Sequence, residues 1–427
     1  MHADSAAQVA ISKKIVFRIE SSISQRAGDE GAFRCAVWPI LKSCAASLPA
    51  LPDWLREEGA MKIASIEAIV LRIPFTVGGV SAAGVWGGAG MQAADSLLLK
   101  VSTDDGLVGW GETFGFVGIP AVKAAIEQML APACIGRDAS QIEAIGLDLQ
   151  RRFHVFGRSG PLFYGLSALD IALWDLCGKA AGLPVHRLLG GAWREQLPAY
   201  ASLIRYADAE TIAVNVRRAI ADGYRSLKLH EVDLAVIRAA RAAAGPDIEI
   251  TLDTNCPWTL PEAIDMARAL QPLSLRWLEE PLWPPENYAG LAALCRRCAI
   301  PLAAGENATT LMEFEHLLGM GAVDVVQPSP AKMGGISALR DVFALARAHN
   351  TQVMVHTFYD GPGLLAAMHA TAALGDTAAM IEWRYFDMAA QVLGDAVVPR
   401  GGMIALPAGP GLGIDPDPEV IRRYRVG

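Results

Sequence analysis

Asp253, Glu279 and Glu306 follow one another at intervals of 26 and 27 residues, and each closes a short apolar run, 248–252, 275–278 and 301–305. A helix-like segment follows each run. A strand-then-helix repeat of this length returns the chain to the same end of a parallel barrel, so acids at the carboxyl ends of neighbouring strands point into one mouth. Carboxylates held that close repel one another unless a cation lies between them. With neither a cysteine pair nor a histidine cluster among the candidate ligands, the set favours a hard, oxygen-seeking ion, Mg²⁺ first and Mn²⁺ second. Such an ion can take a substrate carboxylate and stabilise the negative charge that appears when the adjacent carbon loses a proton. The plainer reading is that the three acids merely cap the helices that follow.

The other strand ends weigh against that reading. They carry Lys228 and His230, Asn255, Ser329, His356 and Glu382. Residues two apart on a strand face the same side, so Lys228 and His230 both point inward, where the acids supply the charge an inward lysine needs. His230 and His356, on different strands, give two proton-transfer groups that could work on the substrate from different sides. Cys295 and Cys298 form a CxxC, but with no second Cys or His pair nearby they do not make a zinc site.

These groups must be held by a large scaffold. The chain has 427 residues, 52% of them hydrophobic, enough for a barrel of roughly 250 residues plus a second domain. A net charge of −8 with no basic stripe argues against nucleic acid as a partner. Seven scattered cysteines read as reduced thiols in the cytoplasm, not as a disulfide framework. Residues 1–60 mix charges into their apolar stretches, with neither a signal-peptide core nor a helical period. They are expected to be a disordered extension, with the folded body starting at Met61. Residues 61–72 alternate as a strand. Residues 73–94 carry no charge, but they are interrupted by Gly, Pro, Ser and Thr; they read as a strand end and a flexible loop bearing Trp86, not as a membrane span. Strands near 96–101 and 108–112 flank the turn Asp104-Asp105-Gly106, and helices are expected near 122–130, 142–153 and 166–179. Eight strands then recur at near-constant spacing, close to 197–203, 226–230, 248–253, 275–280, 301–306, 323–328, 352–357 and 380–383. The expected organisation is an α+β capping domain over 61–191, an α/β barrel over 192–390, and a C-terminal segment, 391–427, that packs back on the capping domain.

At the motifs Gly-Leu-Ser-Ala-Leu-Asp-Ile-Ala-Leu-Trp-Asp (165–175), Leu-Asp-Thr-Asn (252–255), Trp-Leu-Glu-Glu-Pro (277–281), Gly-Glu-Asn (305–307) and Lys-Met-Gly-Gly (332–335), the chain resembles the enolase superfamily, and within it the mandelate racemase and muconate lactonizing enzyme group. The resemblance runs over nearly everything from Met61 onward. It implies a modified TIM barrel, (β/α)₇β, with an N-terminal α+β capping domain. It implies Asp253, Glu279 and Glu306 as Mg²⁺ ligands, Glu382 as the contact to the substrate carboxylate, and His356 as the seventh-strand catalytic histidine. The 77–93 loop is similar to the segment that closes over substrate. Trp86, Ser329 and Asn255 are the candidate substrate contacts.

Two departures from the pattern stand out. The second strand reads Lys228-Leu229-His230 where the group has Lys-x-Lys, so His230 takes the place of the second lysine. After the sixth strand the racemase branch has an aspartate behind its histidine, whereas this chain has Ser329; Asp360 or Tyr359 could compensate. The reaction expected is removal of an α-proton from a carboxylate to give an enediolate, followed by dehydration of an acid sugar (aldonate or aldarate), with His230 as base, assisted by Lys228, and His356 as acid. Racemisation or epimerisation is the first alternative, and a metal-binding sensor without chemistry the second. A small-molecule carboxylate substrate and a homo-oligomer, with no nucleic-acid or membrane partner, complete the expectation.

Overall fold

The structure, a computed structural model, describes residues 61–78 and 92–426. The expected 1–60 extension, Trp86 and most of the 77–93 loop lie outside the described residues.

Strand β1 (Ile63–Thr76) pairs antiparallel with β2 (Ala93–Thr103), and β2 with β3 (Val108–Thr113). The β2–β3 turn closes where Gly106 takes φ +92°, a conformation that L side chains avoid. Helices α1 (Ile119–Ala125), α2 (Ile142–Arg152) and α3 (Pro161–Ala181) follow. Helix α3 is longer than the 166–179 expected, because Pro161 starts it and Gly182, in the left-handed conformation, stops it. It lies directly on β3: a Cβ on Gly111 would come within 1.9 Å of the Ala168 carbonyl oxygen, so only glycine permits this approach.

The barrel follows as β4 (Gln196–Ser202), α4 (Ala209–Ala221), β5 (Ser226–Leu229), α5 (Leu234–Ala244), β6 (Glu249–Asp253), α6 (Leu260–Leu270), β7 (Leu278–Glu279), α7 (Tyr288–Cys295), β8 (Leu302–Ala304), α8 (Leu311–Gly319), β9 (Val325–Val326), α9 (Gly335–Ala348), β10 (Gln352–Val353), α10 (Pro362–Leu374) and β11 (Ile381–Arg384). The eight strands pair in parallel, in the spatial order β10-β9-β8-β7-β6-β5-β4-β11. Strands β7 to β10 are shorter than their apolar runs. Parallel-type hydrogen bonds nevertheless continue beyond them, from Glu280 N to Ala303 O, Gln327 N to Ala304 O and His356 N to Pro328 O. These strand ends therefore stay in register while their side chains turn into the mouth. Capping boxes at Thr259/Glu262 and Thr310/Glu313 start α6 and α8 just beyond two of these ends. Beneath the mouth the barrel is plugged by Tyr200, Trp277, Ala303, Val325, Met354 and Met380.

The chain then returns to the capping sheet. Strand β12 (Asp387–Met388) pairs antiparallel with β1, β13 (Met403–Ala405) pairs with β4, and α11 (Pro418–Tyr424) lies against β1. The 165–175 motif acquires a physical role here. Ser167 Oγ accepts from Gly334 N, Asp170 accepts from the Ser337 N–H and hydroxyl, and buried Asp175 accepts from Trp110 N and Leu412 N. Helix α3 thus joins the capping sheet, the loop after β9 and the C-terminal segment.

Candidate functional site

The three acids meet at the mouth. Asp253, Glu279 and Glu306 each offer an oxygen, and these oxygens lie within 4.8 Å of one another. Asp253 and Glu279 are buried, while Glu306 keeps 15% of its side chain exposed and is the member that opens to the mouth. The chain turns sharply just beyond two of these acids: Asn255 and Cys256 take φ +55° and +57°, and Glu280 +47°. Such values in non-glycine residues mark a backbone held by its surroundings. Asn255 N donates to Asp253 Oδ1 at 2.9 Å, which leaves the other oxygen, Oδ2, free to face the cluster.

Lys228, with no exposed surface, reaches Glu279 Oε1 at 2.6 Å, Asp253 Oδ2 at 3.0 Å and Glu382 Oε1 at 3.2 Å. Burial alone would pull its ammonium group down, but the carboxylates of Glu279, Glu382 and Asp253 outweigh burial and hold it well above the ordinary lysine value. Asp253 is held below its ordinary range in spite of burial, by Lys228 and then His230. Glu306 is likewise held low, by His356 and Lys332. Glu279 goes the other way: burial pushes it well above the carboxylate range, and the charges of Asp253 and Glu382 add to what Lys228 cannot cancel. One acid is therefore left without enough positive charge.

That deficit is the test of whether a cation fits. Asp253 Oδ2 is buried and accepts no hydrogen bond, although Lys228 lies close by. A buried carboxylate oxygen that faces its cations without an aligned hydrogen bond has capacity for a further positive partner. An all-oxygen triad with one unsatisfied oxygen and one uncompensated charge suits Mg²⁺.

Two histidines flank the triad. On the Asp253 side, His230 Nε2 stands 3.5 Å from Asp253 Oδ2 and its Nδ1 lies 2.6 Å from the Leu203 carbonyl oxygen. A carbonyl only accepts, so Nδ1 carries a proton. Arg205 fixes this stretch from behind by donating Nε–H to His230 O at 2.6 Å and Nη2–H to Thr254 O at 3.3 Å. On the Glu306 side, His356 Nε2 lies 2.7 Å from Glu306 Oε2 and its Nδ1 lies 3.0 Å from Ser329 Oγ. Glu382 is held between neighbouring strands, accepting from the Ser202 hydroxyl at 2.8 Å and from Thr357 N at 3.1 Å. Its carboxyl is lower than usual in spite of burial, owing to Lys228 and then the two histidines.

The mouth thus gathers every described residue singled out from the sequence, with qualifications for two of them. Ser329 is fully buried behind His356. Asn255 is half-buried, with its side-chain oxygen unpartnered. Of the two candidates to stand in for an aspartate, Tyr359 reaches the Ser329 hydroxyl, whereas Asp360 pairs with Arg384. Lys332 also enters the site: its Nζ is 3.7 Å from Glu306 Oε1, 3.4 Å from Asn307 Oδ1 and 4.7 Å from the centre of the Phe114 ring. It was visible in the Lys-Met-Gly-Gly motif, but nothing in the local pattern told a site lysine from a surface one. Arg205 had no sequence signal, because it acts on backbone carbonyls of other strands.

Two family models match the chain: "Mandelate racemase / muconate lactonizing enzyme, N-terminal domain" over residues 86–190 and "Enolase C-terminal domain-like" over residues 211–420. The chain is 32% identical over 349 residues to a D-galactarolactone cycloisomerase of Agrobacterium fabrum, covering 77% of this chain and 91% of that one. It is 30% identical over 336 residues to an arabinonate dehydratase of Saccharolobus solfataricus, covering 76% and 89%. A racemase from Streptomyces coelicolor, solved with bound magnesium, superposes with a TM-score of 0.75 at 29% identity, covering 85% of this chain and all of that one.

Proposed function

The chain belongs to the mandelate racemase and muconate lactonizing enzyme group of the enolase superfamily, and from that premise we propose that it is a Mg²⁺-dependent hydro-lyase that dehydrates an acid sugar, an aldonate or an aldarate. The observation that carries this reading is the pair of histidines on either side of the carboxylate triad, on separate strands. Elimination needs one group to take the α-proton and another to protonate the departing oxygen.

Asp253, Glu279 and Glu306 would hold Mg²⁺, which when bound stabilises the charge the substrate carboxylate gains as the neighbouring carbon loses its proton. His230 Nε2 accepts that proton, while the Leu203 carbonyl keeps the opposite nitrogen protonated and the ring in place. Lys228 lends a fixed positive charge beside the same carboxylate. Glu382, braced by Ser202 and Thr357, contacts the substrate carboxyl group. The electron pair left by the C–H bond then forms the carbon–carbon double bond as the β C–O bond breaks, and the hydroxyl leaves with a proton from His356 as water. The enol so formed tautomerises to a 2-keto-3-deoxy acid. A relative named as a cycloisomerase fits the same scheme if its leaving oxygen stays tethered. We further assign Mn²⁺ as a substitute ion, and a homo-oligomer in the cytoplasm as the working form. All five described cysteines are free, and among the described residues no helix is long and apolar enough to cross a membrane.

The test is a panel of aldonates, aldarates and their lactones incubated with enzyme and Mg²⁺ in D₂O. The expected product is a keto acid. Substrate that gains deuterium at the α-carbon with no keto acid formed would instead establish racemisation or epimerisation.

A further inference from the structure

Among the described residues, no carboxylate stands behind His356 at Nδ1. Its Nδ1 lies 3.0 Å from Ser329 Oγ, and the Ser329 hydroxyl is in turn hydrogen-bonded to the Tyr359 hydroxyl. Ser329 is fully buried, and Tyr359 and His356 are each no more than 4% exposed. The three side chains thus form a buried line of hydrogen-bonding groups that ends at the tyrosine.

The direction of the protons along that line follows from what its far end can do. Among the described residues, the Tyr359 hydroxyl has one hydrogen-bond partner, Ser329. If Ser329 donated to it, the phenol's own proton would be buried without an acceptor, the costlier way to leave a hydroxyl incomplete. The phenol therefore donates, Ser329 Oγ accepts, and the single serine proton is left for His356 Nδ1. Nδ1 then accepts, and the ring proton sits on Nε2.

We propose that Tyr359 and Ser329 are positioning residues that lock His356 with its N–H at Nε2, so that this ring presents a donor to the substrate, and a proton given up at Nε2 is replaced at Nδ1 by the Ser329 hydroxyl proton and at Ser329 by that of Tyr359. An aspartate at position 329 would accept from Nδ1–H and leave the lone pair at Nε2, the opposite arrangement. His230 carries a proton at Nδ1, held by the Leu203 carbonyl. The two rings are therefore held differently: the Leu203 carbonyl takes a proton from Nδ1 of His230, whereas the Ser329 hydroxyl gives one to Nδ1 of His356. This rests on the dehydration reading for its use, but the lock itself is a property of the protein without substrate.

The experiment is ¹⁵N–¹H correlation spectroscopy of the histidine rings in Mg²⁺-loaded, substrate-free enzyme, with the His356 signals assigned by their loss in His356→Ala. The expected spectrum has the proton of His356 on Nε2 and Nδ1 in the acceptor range, and Tyr359→Phe moves the Nδ1 shift or produces a mixture of the two forms. A proton on Nδ1 in the wild type, in a neutral or a charged ring, overturns the proposal, and so does a His356 pattern unchanged by Tyr359→Phe. Because the wild-type spectrum decides the direction, a variant that folds poorly does not rescue the proposal. Kinetics add a second readout: Tyr359→Phe and Ser329→Ala should lower kcat at least about 10-fold with KM within about 2-fold, as for loss of an interaction used in the transition state. If no acid sugar is dehydrated while the spectrum shows Nε2–H, the function assigned above fails and the lock stands.

Discussion

His230 and His356 occupy different sides of one carboxylate cluster, and their separate duties can be resolved by removing them one at a time. With His230 as the base, His230→Ala should abolish both dehydration and deuterium incorporation at the α-carbon. His356→Ala should keep α-deuteration of unreacted substrate, because His230 remains, while dehydration falls by about 10²- to 10⁴-fold, the range for loss of a positioned acid. Proton NMR of the substrate in D₂O reads both effects, and a His230→Ala variant that still exchanges the α-proton would remove the base assignment. At this scale the sequence was most informative where chemistry and spacing coincide. The triad, Lys228, His230, His356 and Glu382 all stand at ends of apolar runs, so periodicity alone brings them into one mouth. Tyr359 and Arg205 were less legible. A tyrosine three residues past a histidine has no fixed direction until the loop is folded, and Arg205 works by donating to carbonyls of His230 and Thr254, which any residue type would offer.

Elements that never touch substrate also carry buried ionisable groups, and those set the acid limit of the fold. Helix α10, the turn Val185–Leu188 and the C-terminal segment meet at His369, which is fully buried. Its Nε2 donates to Leu412 O at 3.0 Å, and its Nδ1 lies 3.0 Å from His186 Nδ1. Burial, reinforced by His186, pulls the His369 imidazole down to about 4 from 6.5. A histidine with a depressed folded value binds its proton more readily when unfolded. Its neutral form therefore supports the fold fully above about 6.5, and stability is lost as the pH falls from there towards 4, by up to about 3 kcal/mol. Urea unfolding of the metal-free protein between pH 7 and 4.5 should show this loss. Subtracting the same curve for His369→Gln, which can still donate to Leu412, isolates it from other titrating groups, and parallel curves would show that His369 contributes none of it. Helix α10 was legible as the run after the seventh strand, but the short helix Val185–Leu188 and the junction were not. The strands of the barrel were legible in number and order, yet their lengths were overestimated, because the last residues of each run leave the ladder to aim side chains into the mouth.

For the whole molecule the site is a concentration of buried negative charge that the fold must tolerate before any substrate arrives. Four carboxylates, Asp253, Glu279, Glu306 and Glu382, share the mouth with two ammonium groups, Lys228 and Lys332. The shortage is felt at Glu279, which burial and its acidic neighbours push up. A cation that binds only the folded chain adds RT ln(1 + [L]/Kd) to its stability, about 2.7 kcal/mol when the free ion is 100 times its dissociation constant. Thermal unfolding should therefore shift upward and saturate as Mg²⁺ is titrated into chelator-treated protein, with Mn²⁺ giving the same response. Asp253→Asn keeps the shape of the residue but removes the charge that faces Lys228 and the ion. It should flatten that response and, because buried Lys228 loses a charged partner whose attraction outweighs the repulsion from Glu306, also lower the melting temperature of the metal-free form. A wild-type melting curve indifferent to both ions would mean that Lys228 alone balances the cluster, and the metal assignment would fall with it.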